Sequence, residues 1–436
     1  MAATFQTMRR CPYCGEDIRL ADCPIVATNL DLAAAFVVDV GSHNRMPQLP
    51  SGTLPIRMLP SDFPVVLESP NSRTDNEPTG GSSYIRDVLA AASSSGNGRS
   101  SDKTLPSVTA DGARPEDLPA RACCECGHPL PAEIDDRQAV VIAVVGVNRV
   151  GKTHLLAASL AEGYFQNGLE PIDCVEFVPS DGSSARFRND YYKPLFRDRQ
   201  LLDRTQMRSD VSFNPLTFNV TLEGREPFSL ILHDIAGESL GDVGQRAATA
   251  RYLRAARGIL FVADPREIES LRKTMPLSVI DDPDNDVGFD QGALLAACLL
   301  QHGDAGDGRI VPLAVAIAKG DLLEENGQSE ILMPPTPSPD SEGSEEWLAR
   351  IRSSSEAVRN ALKEWKAFDL LAPAEAHEAR CDAARSQTDD PGRVGAVTFH
   401  VVSALGEAPD EDGELKHVAP RNCLDPLAAI IAQIHP

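Results

Sequence analysis

The stretch GVNRVGKT, residues 146–153, places two glycines ahead of a lysine and a threonine, and that spacing can hold phosphate. Gly146 and Gly151 permit a backbone course that turns successive N–H groups inward, with Asn148, Arg149 and Val150 supplying the amides between them. Lys152 can then reach the β- and γ-phosphates, the Thr153 hydroxyl can ligate Mg²⁺, and His154 comes next on the first helical turn. The apolar run 139–145 before the loop and the helix-like pattern 152–163 after it supply the strand–loop–helix context. The helix N-terminus adds the positive end of its dipole.

Whether the nucleotide is fuel or a switch depends on three later segments. The strand-like FSLILHD runs into DIAGE, which gives Asp234 and Gly237 the spacing D-x-x-G. Asp234 can hold magnesium through water, the Gly237 N–H can contact a γ-phosphate, and a glycine there lets the loop swing when that phosphate leaves. An ATP-driven motor would carry Asp-Glu at this place. PLAVAIAKGDLL then delivers Ala318, Lys319, Gly320 and Asp321 after a buried strand. The Asp321 carboxylate can accept from guanine N1–H and the 2-amino group, a donor pair adenine lacks, while the aliphatic stem of Lys319 lies over the ring. Finally VTFHVVSALGE brings Ser403, Ala404 and Leu405. The Ala404 N–H can meet guanine O6 and Ser403 can brace the loop. Each short motif falls at the C-terminal end of a predicted strand, where open α/β sheets bind their ligands.

A second chemistry sits near the N-terminus. CPYCGEDIRL supplies Cys11 and Cys14, and CCECGHPLP supplies Cys123, Cys126 and an extra Cys124. Two C-x-x-C turns, each followed by glycine, suit tetrahedral Zn²⁺ in a closed, structural site. A redox dithiol is the rival reading, His128 is a possible replacement ligand, and the separation of the knuckles is far longer than in an ordinary ribbon.

The set GVNRVGKT, DIAGE, AKGD and SAL resembles the Ras-like, translation-factor-related class of P-loop GTPases, over residues 137–436. With the cysteine knuckles in front, the chain is most similar to the bacterial double-GTPase group of zinc-ribbon-bearing proteins. The resemblance implies a Mg²⁺-dependent regulatory switch that binds GTP or GDP, hydrolyses GTP and acts on a protein effector or regulator. Two departures stand out. Ala318 occupies the place where the class usually has Asn or Thr, which implies weaker bracing of the base loop. Glu238 stands where a water-orienting Gln is usual; either it orients water, with slow turnover because a carboxylate is repelled by γ-phosphate, or it is a surface residue. The first switch needs a Thr over Mg²⁺. Thr205 is the candidate and Thr217, inside a strand-like run, is the weaker one. Arg186, Arg188, Arg197, Arg199, Arg204 and Arg208 surround it, any of which could neutralise phosphate charge.

These residues need a scaffold to position them. Apolar strand-like runs fall at 139–145, 215–222, 228–233, 258–263, 311–317 and 397–402. Helix-like patterns fall at 152–163, 241–256, 291–301, 345–372 and 425–434. That alternation predicts an α/β three-layer sandwich of the P-loop NTPase type on a six-stranded, mostly parallel sheet. The pair 215–222 and 228–233 is separated only by EGREP, so it should form an antiparallel hairpin. The domains expected are a zinc-ribbon-like module at 1–136, with a polar linker at about 70–120, and a GTPase domain at 137–436. Acidic insertions interrupt the latter at 281–290 and 324–346. The first is a solvated loop, with glycine one place late for a calcium loop, and the second a disordered lead-in to the helix around Trp347 and Trp365.

Composition narrows the class. A formal net charge of −23 argues against a general nucleic-acid or anionic-membrane surface. The chain lacks a run of eighteen apolar residues and an apolar signal core, so membrane insertion is not expected and the location read is cytoplasmic. Oligomeric state is not legible. Two other functions compete with the switch: a nucleotide-dependent scaffold that hardly turns GTP over, and an ATPase, which DIAGE and AKGD disfavour.

Overall fold

The computed structural model describes residues 8–14, 16–23, 25–27, 37–38, 54–57, 120–127, 130–202, 216–236, 253–276, 290–303, 311–324, 332–334, 343–384, 394–407 and 415–434. The chain divides into two compact units, residues Met1–Ala139 and Val140–Pro436.

In the first unit, β1 (Met8–Arg10) and β2 (Asp17–Arg19) form an antiparallel hairpin around the first cysteine knuckle. A second, four-stranded sheet contains β3 (Ile25–Ala27), β4 (Val37–Val38), β5 (Leu54–Arg57) and β6 (Ala120–Arg121), in the order β4-β5-β3-β6. The β3–β6 pairing accounts for the long separation of the knuckles. Ile25 pairs with Arg121 and Val26 with Ala120, so nearly a hundred residues leave and return through adjacent strands. The polar stretch 70–120 lies almost entirely outside the described residues.

In the second unit, the sheet among the described residues has seven strands, not six. They are β7 (Gln138–Gly146), β8 (Cys174–Pro179), β9 (Leu216–Leu222), β10 (Phe228–Ala236), β11 (Ala256–Ala263), β12 (Leu313–Ile317) and β13 (Val397–Val401), ordered β13-β12-β11-β7-β10-β9-β8. β7, β11, β12 and β13 run parallel. β9 and β10 form the expected hairpin, with Phe228 opposite Val220. The inner strands β7, β11 and β12 are buried along nearly their whole length, as their continuous apolar runs require, and the edge strand β13 is buried as well.

The additional strand, β8, is the edge, antiparallel to β9. Of its residues only Phe177 is buried, stacked on Phe218 at 4.8 Å, while Val175 is exposed. A single buried residue in six leaves almost no periodic signal. After β8 the chain forms a helix, α2 (Asp181–Arg186; α1 is Lys152–Phe165), and then a π-helix over Phe187–Arg197. Buried Phe187 and Leu195 anchor it, and Pro194 lies inside it.

The remaining helices flank the sheet: α3 (Glu269–Arg272), α4 (Gln291–Gly303), α5 (Asp321–Glu324), α6 (Ser344–Glu364), α7 (Phe368–Ala384) and α8 (Asp425–Ile431). The single helix expected over 345–372 is two, broken where Lys366 adopts a left-handed φ of +58°. The acidic segment 324–346 is not a wholly disordered lead-in either. Leu332 and Met333 are buried and Ser344 already opens α6, capped by Glu346 accepting from the Gly343 N–H at 2.7 Å. No described helix is long and apolar enough to cross a membrane.

One titratable group links α1 to the start of α8. The Glu162 carboxyl is pushed up to about 7, first by burial and then by Asp425; the Leu424 N–H and the Arg350 guanidinium pull the other way. The native chain therefore keeps a proton that the unfolded chain has released. Its contribution is whole below about pH 4.5 and is lost as pH rises through about 7. Glu162→Gln should match the parent in urea denaturation at pH 5 and exceed it by about 1–2 kcal/mol at pH 8. Equal stabilities at both pH values would contradict this.

Candidate functional site

Because β7, β11, β12 and β13 are parallel, their C-terminal ends share one edge, and the loops leaving them converge there. The phosphate loop joins β7 to α1. Gly151 is the N-cap of α1 at φ +98°, and Arg149 is also left-handed at +58°. Gly146 is required by close approach: a Cβ there would run into the Val262 carbonyl oxygen of β11. Val150 turns inward and is fully buried, while Asn148 is exposed. Lys152 is buried, and its Nζ donates to the carbonyl oxygens of Gly146 at 3.1 Å and Val147 at 3.0 Å. These bonds hold the ammonium against the loop. Thr153 is half-buried on the first turn.

His154 bonds to a distant part of the chain. Its Nε2 accepts the Leu202 N–H at 3.1 Å, so the ring docks the segment leading to the first switch. Burial, then the Lys319 charge, pushes its pKa down to about 4, which keeps that acceptor neutral at physiological pH. Leu202 packs with Ala157, Leu195 and Leu415, and Leu405 covers the same cluster.

The structure brings AKGD and SAL together. Ala318 donates its N–H to the Ala263 carbonyl and Gly320 to that of Val402, each at 2.9 Å, which ties the AKGD turn to the ends of β11 and β13. The Ser403 hydroxyl, wholly buried, donates to Asp321 Oδ1 at 2.6 Å and accepts the Gly406 N–H at 3.1 Å. Ser403 and Arg421 also exchange backbone bonds at 3.1 and 2.8 Å. The SAL loop thus aims the carboxylate of Asp321. Gly320 is needed for packing, since a Cβ would meet Met333 sulfur at 2.5 Å.

Asp234 lies within β10, beside β7. Thr205, Gly237 and Glu238 lie outside the described residues, as do Arg204 and Arg208. Thr217 is 5% exposed inside β9, and its N–H donates to Ser183 Oγ at 2.8 Å. One residue was missed by sequence reasoning: Asp264, directly after β11, whose Oδ2 accepts from Lys319 Nζ at 2.7 Å. Its signal was available, an aspartate closing the apolar run GILFVAD at the same sheet edge.

In the first unit, the sulfurs of Cys11, Cys14, Cys123 and Cys126 all lie within 4.8 Å of one another. Cys11–Cys126 and Cys14–Cys123 are each separated by 3.8 Å, and none forms a disulfide. A metal bound tetrahedrally at about 2.3 Å to sulfur has an edge of about 3.8 Å, so the geometry fits. The N–H groups of Tyr13, Glu125 and Cys126 point at knuckle sulfurs at 3.3–3.5 Å. The Cys123 sulfur is pulled toward thiolate by hydrogen bonds, first with Cys11. The donor set is that of a closed, soft-metal site with no position for substrate.

Residues 140–334 match the family model described as Double-GTPase 2. The matched stretch contains GVNRVGKT, DIAGE and AKGD, and ends before the SAL segment at 403–405. A putative ESX-1 scaffolding and assembly protein, SaeC, from Mycolicibacterium smegmatis is 23% identical over 347 residues, 74% of this chain and 82% of that protein. Among solved structures, Sup35 complexed with GMPPNP is 14% identical over 68% of this chain with a TM-score of 0.25; the chain spans 45% of that structure. The cytosolic domain of the T. maritima FeoB iron transporter, in apo form, is 14% identical over 59% of this chain and 92% of that one, with a TM-score of 0.22.

Proposed function

We propose that the chain is a GTP-specific, Mg²⁺-dependent switch whose nucleotide state governs the docking of a protein partner. The observation that carries this reading is the Ser403–Asp321 hydrogen bond at 2.6 Å. It aims a carboxylate at the sheet edge that also holds Lys152, which is the arrangement a guanine nucleotide needs. Lys152 and the N-terminus of α1 would bind the phosphates, with Thr153 and Asp234 holding Mg²⁺. Magnesium would supply charge neutralisation across the β- and γ-phosphates. Asp321, Lys319 and the Ala404 N–H would select the base. Thr205, Gly237 and Glu238 would sense the γ-phosphate and orient water. The four-cysteine site would hold structural Zn²⁺ in a module that docks the partner, and the location proposed is the cytoplasm.

A scaffold with little turnover is the second reading. It is favoured by the description of the SaeC relative as a scaffolding and assembly protein and by the carboxylate of Glu238 in place of an amide. Multiple-turnover phosphate release with Mg-GTP separates the two. Repeated turnover that Glu238→Gln accelerates supports a switch; a single bound GTP released unchanged supports the scaffold. Equal turnover of ATP would remove the guanine reading altogether.

A further inference from the structure

The turn that carries Asp321 is strained. Lys319 sits in the left-handed region at φ +52°, which a non-glycine residue holds only when its surroundings favour it. Ala318, just before it, offers no side-chain hydrogen bond. The stabilising contact comes from the end of β11 instead: Lys319 Nζ donates to Asp264 Oδ2 at 2.7 Å. Asp264 is 3% exposed and is itself held on several sides. Its Oδ1 accepts the Arg266 N–H at 2.9 Å and Nε at 3.1 Å, its Oδ2 accepts Nη2 at 2.8 Å, and its own N–H donates to Gln291 Oε1 at 3.0 Å. Burial pushes this carboxyl up, but Lys319 and Arg266 together outweigh burial and hold it below its usual range, so it stays charged.

We propose that Asp264 is a positioning residue for base recognition. Acting through Lys319, it fixes the 318–321 turn so that the Asp321 carboxylate meets the base edge and the Lys319 stem lies along the ring. The proposal deepens the guanine reading and rests on it. A merely structural role would be different: Asp264 would cap the turn at Arg266 and act independently of Lys319.

A double-mutant cycle separates the two roles. Calorimetry on the full chain would compare GDP, ADP and pyrophosphate, each with Mg²⁺, for the parent, Asp264→Asn, Lys319→Met and the double variant. Asp264→Asn is isosteric. It is expected to weaken GDP about 10-fold and to lower the GDP-to-ADP ratio, while changing pyrophosphate less than about 2-fold. In the Lys319→Met background it should have no further effect. A ratio unchanged by Asp264→Asn, or losses that simply add in the double variant, would overturn the proposal while leaving the guanine reading intact. A parent that does not prefer GDP to ADP would overturn both, and that is visible without any variant. If Asp264→Asn does not fold, Asp264→Glu replaces it: this keeps the charge but displaces the carboxylate from Lys319. A fall of about 3-fold in the GDP-to-ADP ratio that vanishes in the Lys319→Met background supports the role, and no change, or the same fall in that background, overturns it.

Discussion

Asp321→Asn is expected to exchange guanine for xanthine as the preferred base. The Asp321 carboxylate accepts from two guanine donors, whereas xanthine carries a carbonyl in place of the 2-amino group. An amide at 321 can donate to that carbonyl, but it meets the guanine amino group donor to donor. Losing charge-assisted bonds of this kind costs about 3 kcal/mol, or about 100-fold in GDP affinity. XDP binding should tighten correspondingly. The substitution leaves the supporting bond in place, because Ser403 Oγ donates to Oδ1, which remains an oxygen acceptor in asparagine. Calorimetry with GDP, XDP and ADP in Mg²⁺ reads the exchange directly. ADP binding as tight as GDP, unaltered by the substitution, would make AKGD an ordinary turn.

Removing the metal from the four-cysteine site should unfold the unit it organises. Among its described residues, the strands before Ala132 are two to four residues long and Ile18, Leu20, Leu130 and Ile134 are buried around the four sulfurs. Structural zinc contributes on the order of 10 kcal/mol to a site of this type, and here that contribution is folding energy. Cys123→Ser, or a strong chelator on the parent chain, should therefore release about one equivalent of zinc. Amide exchange over 16–23 and 120–134 should then become fast. GDP affinity, measured on the same samples, reports whether the nucleotide-binding unit remains folded. A purified parent chain free of metal, with those amides equally protected, would leave a thiol core and no metal site.

The strand–loop–helix at 138–165 and the strands that run into DIAGE, AKGD and SAL were legible because their signals are local. Gly146, Gly151, Lys152 and Thr153 are neighbours in the chain, and the strand before them is apolar at nearly every position because both its faces are covered. β12 and β13 could be read for the same reason, and each delivers its motif at the same sheet edge. Where a strand buries one residue in six, as β8 does with Phe177, periodicity carries nothing. The π-helix at Phe187–Arg197 contains a proline that sequence rules read as a break.

Sequence alone determined which strands precede the motifs and marked the two cysteine pairs as one candidate site. Tertiary structure decided how distant pieces support one another. Pairing of Ile25–Val26 with Ala120–Arg121 lets knuckles more than a hundred residues apart share four sulfurs. The ring of His154 accepts from Leu202, and Asp264 holds the lysine that comes after the next strand of the sheet. Such contacts depend on which strands become neighbours. Strand adjacency is set by the packing of the whole sheet, and no local stretch of residues encodes it.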